Sequence, residues 1–289
     1  MKPATKRDDS RTASRRRPGR RRWNSPLVVV CGGLLSLFVM MIGCLVAADV
    51  SYLLSKGTGW IHDLDSRVID QVKFALRMSL ATSLTTLVLI MLTAVPIGYA
   101  LARFRFPGRS LVNTVVDAPI VLPPVVVGIS LLAFFGYGAG KPLRMALDSL
   151  ELSIGSAFGI VMSQYLVAVS YCIRSAKTAF QGVDPSLEQV ARVMGRSEWR
   201  TFWRVSLPLA HHGIVAGGVM AWARAIGVFG PLMVVVGTGP RVLVMPTTMW
   251  LELSTGHMEV AVAIALIMLG LAGVALTVVH WLSPEGAAV

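Results

Sequence analysis

The sequence predicts an all-α integral membrane protein of about six transmembrane helices, and three observations carry that prediction. Only 15% of the 289 residues are charged against 54% hydrophobic, whereas a soluble domain carries about a quarter charged residues. The charges gather between long apolar runs. Several of those runs reach the roughly 20 residues that a helix needs to cross about 30 Å of hydrocarbon.

The runs cover residues 27–50, 78–101, 111–135, 154–173, 213–237 and 260–282. The first follows the arginines at 15–17 and 20–22 and is expected to begin inside the cell, so six crossings return both termini to the cytoplasm. Lys and Arg in short loops stay on the cytoplasmic side, and the predicted inner loops agree. They carry Arg103, Arg105 and Arg109, then Arg174, Lys177, Arg192, Arg196, Arg200 and Arg204. The predicted outer loops mix signs: Lys56, Arg67 and Lys73 with Asp63, Asp65 and Asp70; Lys141 and Arg144 with Asp148 and Glu151; Arg241 with Glu252. The expected organisation is a basic cytoplasmic tail over 1–26, a first transmembrane helix over 27–50, a core over 74–282 with a cytoplasmic loop at 174–212, and a C-terminal tail over 283–289.

The net charge of +12 does not point to nucleic acid, because residues 1–22 hold eight Arg and two Lys against Asp8 and Asp9 and so supply +8 of it. The tail reads as a solvated topogenic segment in reach of anionic lipid head groups. A cleaved signal sequence is the rival reading of this end, with Met41-Ile42-Gly43-Cys44 imitating a lipoprotein cleavage box. The apolar stretch is long for that. Cys31, Cys44 and Cys172 lack any paired spacing, which supports neither a disulfide framework nor a zinc site and leaves them as small packing residues.

The longest inner loop is the most informative. Asp184 and Pro185 open a helix as a cap and first residue should, and Leu187, Val190, Ala191 and Met194 then recur at i, i+3, i+4 and i+7, predicting one apolar face. Gly195 interrupts the pattern. A second short helix starts at Ser197 and sets Trp199, Phe202 and Trp203 on one side before Leu207-Pro208 leads back to the membrane. Arg192, Arg196, Arg200 and Arg204 recur every four residues, as a solvated face or as a docking surface for a cytoplasmic partner.

These residues resemble the EAA loop of ABC importer permeases, written E-A-A, three residues, G, nine residues, I, one residue, L-P. The chain reads Gln189-Val190-Ala191, then Gly195, Val205, Leu207 and Pro208, with Gln189 for Glu, Val190 for Ala and Val205 for Ile; Glu188 stands one position before the missing carboxylate. The resemblance implies a type I importer fold in a bacterial inner membrane. It also implies that a coupling helix at about 184–194 inserts into a cleft on a separate ATPase, with Asp184, Glu188, Gln189, Ala191, Gly195, Leu207 and Pro208 forming the ATPase-coupling segment. The implied partners are a second permease copy, two ATPase subunits and an outer solute-binding protein. No cofactor is expected on this chain; ATP and magnesium belong to the ATPase.

A second resemblance covers about 74–282. Pro96-Ile97-Gly98-Tyr99-Ala100-Leu101-Ala102-Arg103, Phe106-Pro107-Gly108-Arg109, the stretch Asp117-Ala118-Pro119 through Pro123-Pro124 to Gly128, and Ala223-Arg224-Ala225-Ile226-Gly227-Val228-Phe229-Gly230 look like the molybdate and sulfate permeases. The implied cargo is a small oxyanion: molybdate, tungstate or sulfate. That branch usually has a glutamate where Val228 stands.

Arg224 reads either as a snorkelling or intersubunit residue or as an element of the anion path, since an ionisable group in a membrane faces a cavity or a partner. Pro123-Pro124 interrupts hydrogen bonding in the third span, as a kink near the gate or as ordinary bending. Ser79, Ser83 and Thr86 share one face of the second span, either lining the path or bonding between helices. Gly217, Gly218, Gly227 and Gly230 are expected to allow close helix approach. An enzyme is disfavoured, because His211-His212 lacks any accompanying catalytic motif, and Gly140-Lys141 is no phosphate loop, with Pro142 where Ser or Thr is required.

Overall fold

The computed structural model describes residues 26–57, 66–137, 140–149, 152–239 and 242–282. The N-terminal tail before Pro26 and the tail at 283–289 lie outside the described residues. The chain divides into two compact units, residues 1–49 and 50–289.

Most of α1, Pro26–Ser55, belongs to the first unit. Its thirty residues are apolar all round, and Leu34, Leu35, Leu37, Phe38 and Leu45 are exposed. A helix with no polar face is one that lipid can surround. It runs five residues beyond the predicted 27–50. Cys31 and Cys44 are exposed on it, so the expectation that all three cysteines fill gaps holds only for Cys172, which is buried.

In the second unit α2, Ser66–Arg103, crosses as one 38-residue helix. Ala75, Ser79, Thr82, Ser83, Thr86, Ile90, Ala94 and Gly98 form its buried stripe, and Leu84, Val88 and Leu92 point out. Small and polar inside, large and apolar outside is what a lipid solvent selects. The predicted third span is two helices, α3 (Arg109–Val121) and α4 (Pro124–Tyr137), meeting at 113°. Pro123 drives Leu122 out of the helical region, to φ −67° and ψ 137°, because the ring of a proline crowds the residue before it. The bend is therefore far sharper than a kink.

A short α5 (Lys141–Ser149) leads to α6 (Ala157–Gln181), which starts at the Ser156 cap. After the cytoplasmic loop, α9 spans Leu207–Ile226. It stops at Gly227, and α10 (Gly230–Val235) follows, so the predicted fifth span at 213–237 begins earlier and is broken near its end. Gly227 is exposed and ends a helix rather than packing. Two further helices, α11 (Met245–Ser254) and α12 (Met258–Leu282), complete the unit. Among the described residues four helices are long and apolar enough to cross a membrane, five if the bent pair is one crossing, so six is an approximate count.

Helices α2, α6 and α9 form the centre, where Ile90, Ala94, Ala168, Cys172, Ala221 and Ala225 pack together. A Cβ added at Gly217 would lie 2.4 Å from Ser175 Cβ, so α9 approaches α6 at backbone distance, and Ser175 Oγ donates to Gly213 O across the contact at 2.8 Å. Polar side chains bridge the rest. Thr86 donates to Gln164 at 2.9 Å, Trp222 Nε1 to Ser83 at 3.0 Å, and the Met245 N–H to Ser79 at 2.7 Å. At the close of α1, Lys56 meets Glu259 of α12 at 2.9 Å.

Candidate functional site

The loop between α6 and α9 folds as two short helices, α7 (Pro185–Val193) and α8 (Glu198–Thr201), followed by a π-helical turn at Phe202–Ser206 that runs into α9. Each end has a local cause. The Asp184 carboxylate accepts the Ser186 N–H at 2.8 Å, capping α7 and satisfying a donor that the first turn leaves open. That backbone hydrogen bond holds the Asp184 carboxyl below its ordinary pKa. At the other end Gly195 adopts φ +82°, and the Arg196 N–H reaches back to Ala191 O at 3.1 Å while the Gly195 N–H bonds Arg192 O at 2.9 Å. This left-handed C-terminal cap turns the chain within two residues. Ser197 caps α8, and Arg192 pairs with Glu198 at 3.3 Å across the turn.

Two different faces result on α7. Leu187, Val190, Val193 and Met194 are exposed, with Val193 at 89% and Met194 at 68%. Glu188 and Ala191 are buried. The predicted single apolar face is thus corrected: Ala191 turns inward beside Glu188, and Val193 joins the outward set. Gln189 is exposed as well.

Glu188 makes the contact that sequence reasoning missed. Its Oε1 lies 2.9 Å from Arg103 Nε, at the last residue of α2, and accepts a hydrogen bond from Ser206 Oγ at 2.8 Å. Arg103 Nη2 also donates to Val183 O at 2.8 Å. Glu188 therefore does not stand on the outer surface in place of the family carboxylate. In the sequence Arg103 reads as a cytoplasmic charge and as the end of the Pro96–Arg103 stretch, because nothing in linear spacing joins positions 85 residues apart.

Beneath α8, Phe202 is buried against Val95, Ala176, Phe180, Val183, Ala210 and Ile214. Tyr99 meets its ring edge-on at 4.9 Å, and Trp199 stacks at 6.0 Å. Of the three aromatics expected on one side, Phe202 anchors the loop while Trp199 and Trp203 stay exposed. Pro208 lies in the first turn of α9, and Leu207 begins that helix.

Comparison with known proteins settles the family. The family described as the binding-protein-dependent transport system inner membrane component matches residues 94–285. The chain belongs to that family. A probable molybdenum ABC transporter permease protein of Haloferax volcanii is 37% identical over 260 residues, 89% of this chain and 90% of that protein. A molybdate/tungstate transport system permease protein of Thermococcus kodakarensis is 42% identical over 161 residues, 56% of this chain and 60% of that protein. Among solved structures, a bacterial ABC transporter involved in the import of the acidic polysaccharide alginate matches with a TM-score of 0.65 at 17% identity, over 88% of this chain and 93% of that one.

The chain is accordingly an ABC importer permease, a multi-pass inner-membrane transporter subunit. The residues expected along its path lie on α2, at the α3–α4 bend and at the end of α9. Arg224 is exposed in the last turn of α9 and makes no ion pair or side-chain hydrogen bond among the described residues. Val228, just past that helix, is buried at 2% in an apolar cluster with Val127, Ile160, Val167, Leu232 and Val244. Pro123 and Pro124 stand at the 113° bend. Ser83 has no exposed surface and is bonded to Trp222, so within this chain it ties two helices together.

Proposed function

We propose that the chain is the permease of an ATP-driven importer for molybdate or tungstate, with α7 seated on a separate ATPase. The supporting observation is the exposed apolar face of Leu187, Val190, Val193 and Met194 on a short helix that carries Arg192 in its last turn and is followed by Arg196. Such a face on a loop outside the apolar spans is unfavourable in water and favourable against a partner. ATP and magnesium bind the partner, and closure of two ATPases is received by a rigid helix on each of two permease copies. Both termini lie in the cytoplasm, an outer binding protein delivers the anion, and Arg224 faces the path at the join between the copies.

The test is purification from native membranes, followed by reconstitution in nanodiscs with the ATPase and binding protein that accompany the chain. ATP-dependent uptake of molybdate or tungstate is expected. Replacing Val190 and Met194 with Asp is expected to abolish ATPase association while leaving thermal unfolding in detergent little changed, because both side chains are already exposed. Failure of any ATPase to associate with the wild type, or labelling of 184–208 from the outer side, overturns the reading.

A further inference from the structure

The loop that carries α7 is joined by the chain to α6 and α9, yet its one buried charge grips a third helix. We infer that the Arg103–Glu188–Ser206 junction is a mechanical joint through which displacement of α7 drives α2 together with α9. The inference rests on the reading of α7 as the seat of an ATPase.

The geometry separates receiving surface from transmitting surface. Leu187, Val190, Val193 and Met194 point out from α7, so a partner presses there. Glu188 points the opposite way, with its side chain 5% exposed, and meets an Arg103 side chain that is 11% exposed. A single carboxylate oxygen is held at 2.9 Å by Arg103 and at 2.8 Å by Ser206. The first belongs to the end of α2 and the second to the π turn that leads into α9. Arg103 also fixes Val183 O, just before the α7 cap, at 2.8 Å. Two bonds from one guanidinium span the start and the interior of α7, which prevents the helix from rocking about its own end.

Without this joint a push on α7 reaches α9 through Gly195 and α8, a route containing a glycine turn, and reaches α2 by the packing around Phe202, by the Tyr99–Ser206 contact and through α6. With it, the push acts directly on the last turn of α2. That helix is bonded further along to α6 through Thr86 and Gln164 and to α9 through Ser83 and Trp222. The three central helices therefore move as one body when the loop moves. A buried charge pair is poor evidence for stability, since apolar side chains of similar size replace such pairs with little loss. Direction and rigidity are what its hydrogen bonds add here. Arg103, Glu188 and Ser206 are positioning residues in this account.

The experiment uses the complete nanodisc complex that co-purifies from membranes, with three permease variants: Glu188→Gln, Ser206→Ala, and the paired Arg103→Met with Glu188→Leu. Oxyanion moved per ATP hydrolysed is measured beside thermal unfolding. The expected result for Glu188→Gln is an assembled complex whose transport per ATP falls about tenfold, within the range of site-to-site coupling, with a smaller loss for Ser206→Ala. The paired apolar variant is expected to unfold at or above the wild-type temperature and remain uncoupled, a separation that a purely structural role would not produce. Full coupling in the paired variant overturns the inference, as does loss of ATPase binding in Glu188→Gln, which would make the bridge a shaper of the docking face. Glu188→Gln failing to fold leaves the paired variant to decide. A wild-type chain that captures no ATPase defeats the underlying reading instead, and is recognised before any variant is made.

Discussion

Asp184 shows how much one side chain does at the start of α7. Its bond to the Ser186 N–H supplies the cap, and Asp184→Ala is expected to loosen the start of the helix, read as faster amide exchange over the first turn of α7. Because the carboxyl is held below its ordinary pKa, the cap stabilises the helix fully above the unfolded value of about 3.9 and loses that contribution as pH falls through the lower folded value. Protection of the Ser186 amide, its exchange rate relative to the intrinsic rate at each pH, should therefore be flat near neutrality and fall only in acid. Gly195 sits at φ +82°, where a branched side chain is strained. Gly195→Val is expected to abolish stimulated transport with normal membrane insertion, and full activity would refute the role assigned to that turn. The residues whose function is local, Asp184, Pro185 and Gly195, were legible in the sequence because caps and turns are dictated by neighbours in the chain. Glu188 was not: its partners come from Arg103 and Ser206, and burial decided its role.

At the scale of elements, the interruption at Pro123-Pro124 separates two helices by 113°. A proline pair marks a break in any sequence, but the angle depends on what the second half packs against, here the backbone of α10, where a Cβ added at Gly128 would come within 2.7 Å of Pro231 Cα. Gly128→Leu is accordingly expected to destabilise the detergent-solubilised protein by about 1–3 kcal/mol, as overpacking does, measured by thermal unfolding. The fifth span is broken where its sequence reads as continuous, for a related reason. Gly227, Val228 and Phe229 are apolar enough to continue a hydropathy run, yet the helix ends at Ile226 and Val228 turns into an apolar cluster. Apolarity marks what is buried or in lipid, whereas the end of a helix depends on where its backbone goes next.

Taken as a whole, the molecule is organised around α2, α6 and α9, and the membrane class was legible from composition and charge placement alone. The family was legible from the loop, whose spacing survives three substitutions in its signature. The path was not, because in the proposed assembly two copies enclose it and the sequence describes one. Arg224 is exposed on this chain, so Arg224→Ala removes no contact seen within it and is expected to leave thermal stability within about 0.5 kcal/mol, as for other exposed positions, while reducing uptake. Unchanged uptake kinetics would remove Arg224 from the path.

The π-helical turn at Phe202–Ser206 gives the connection between loop and membrane one residue of slack. A π turn accommodates one residue more than an α turn, and a single residue rotates a helix by about 100°. A one-codon deletion within that turn would let the helix wind as a regular α-helix with His211, Trp222 and Arg224 near their present bearings, whereas the same deletion in a regular turn of α9 would swivel every residue after it. Natural variation in this lineage should therefore lose a residue from 202–206 more readily than from the regular helix that follows.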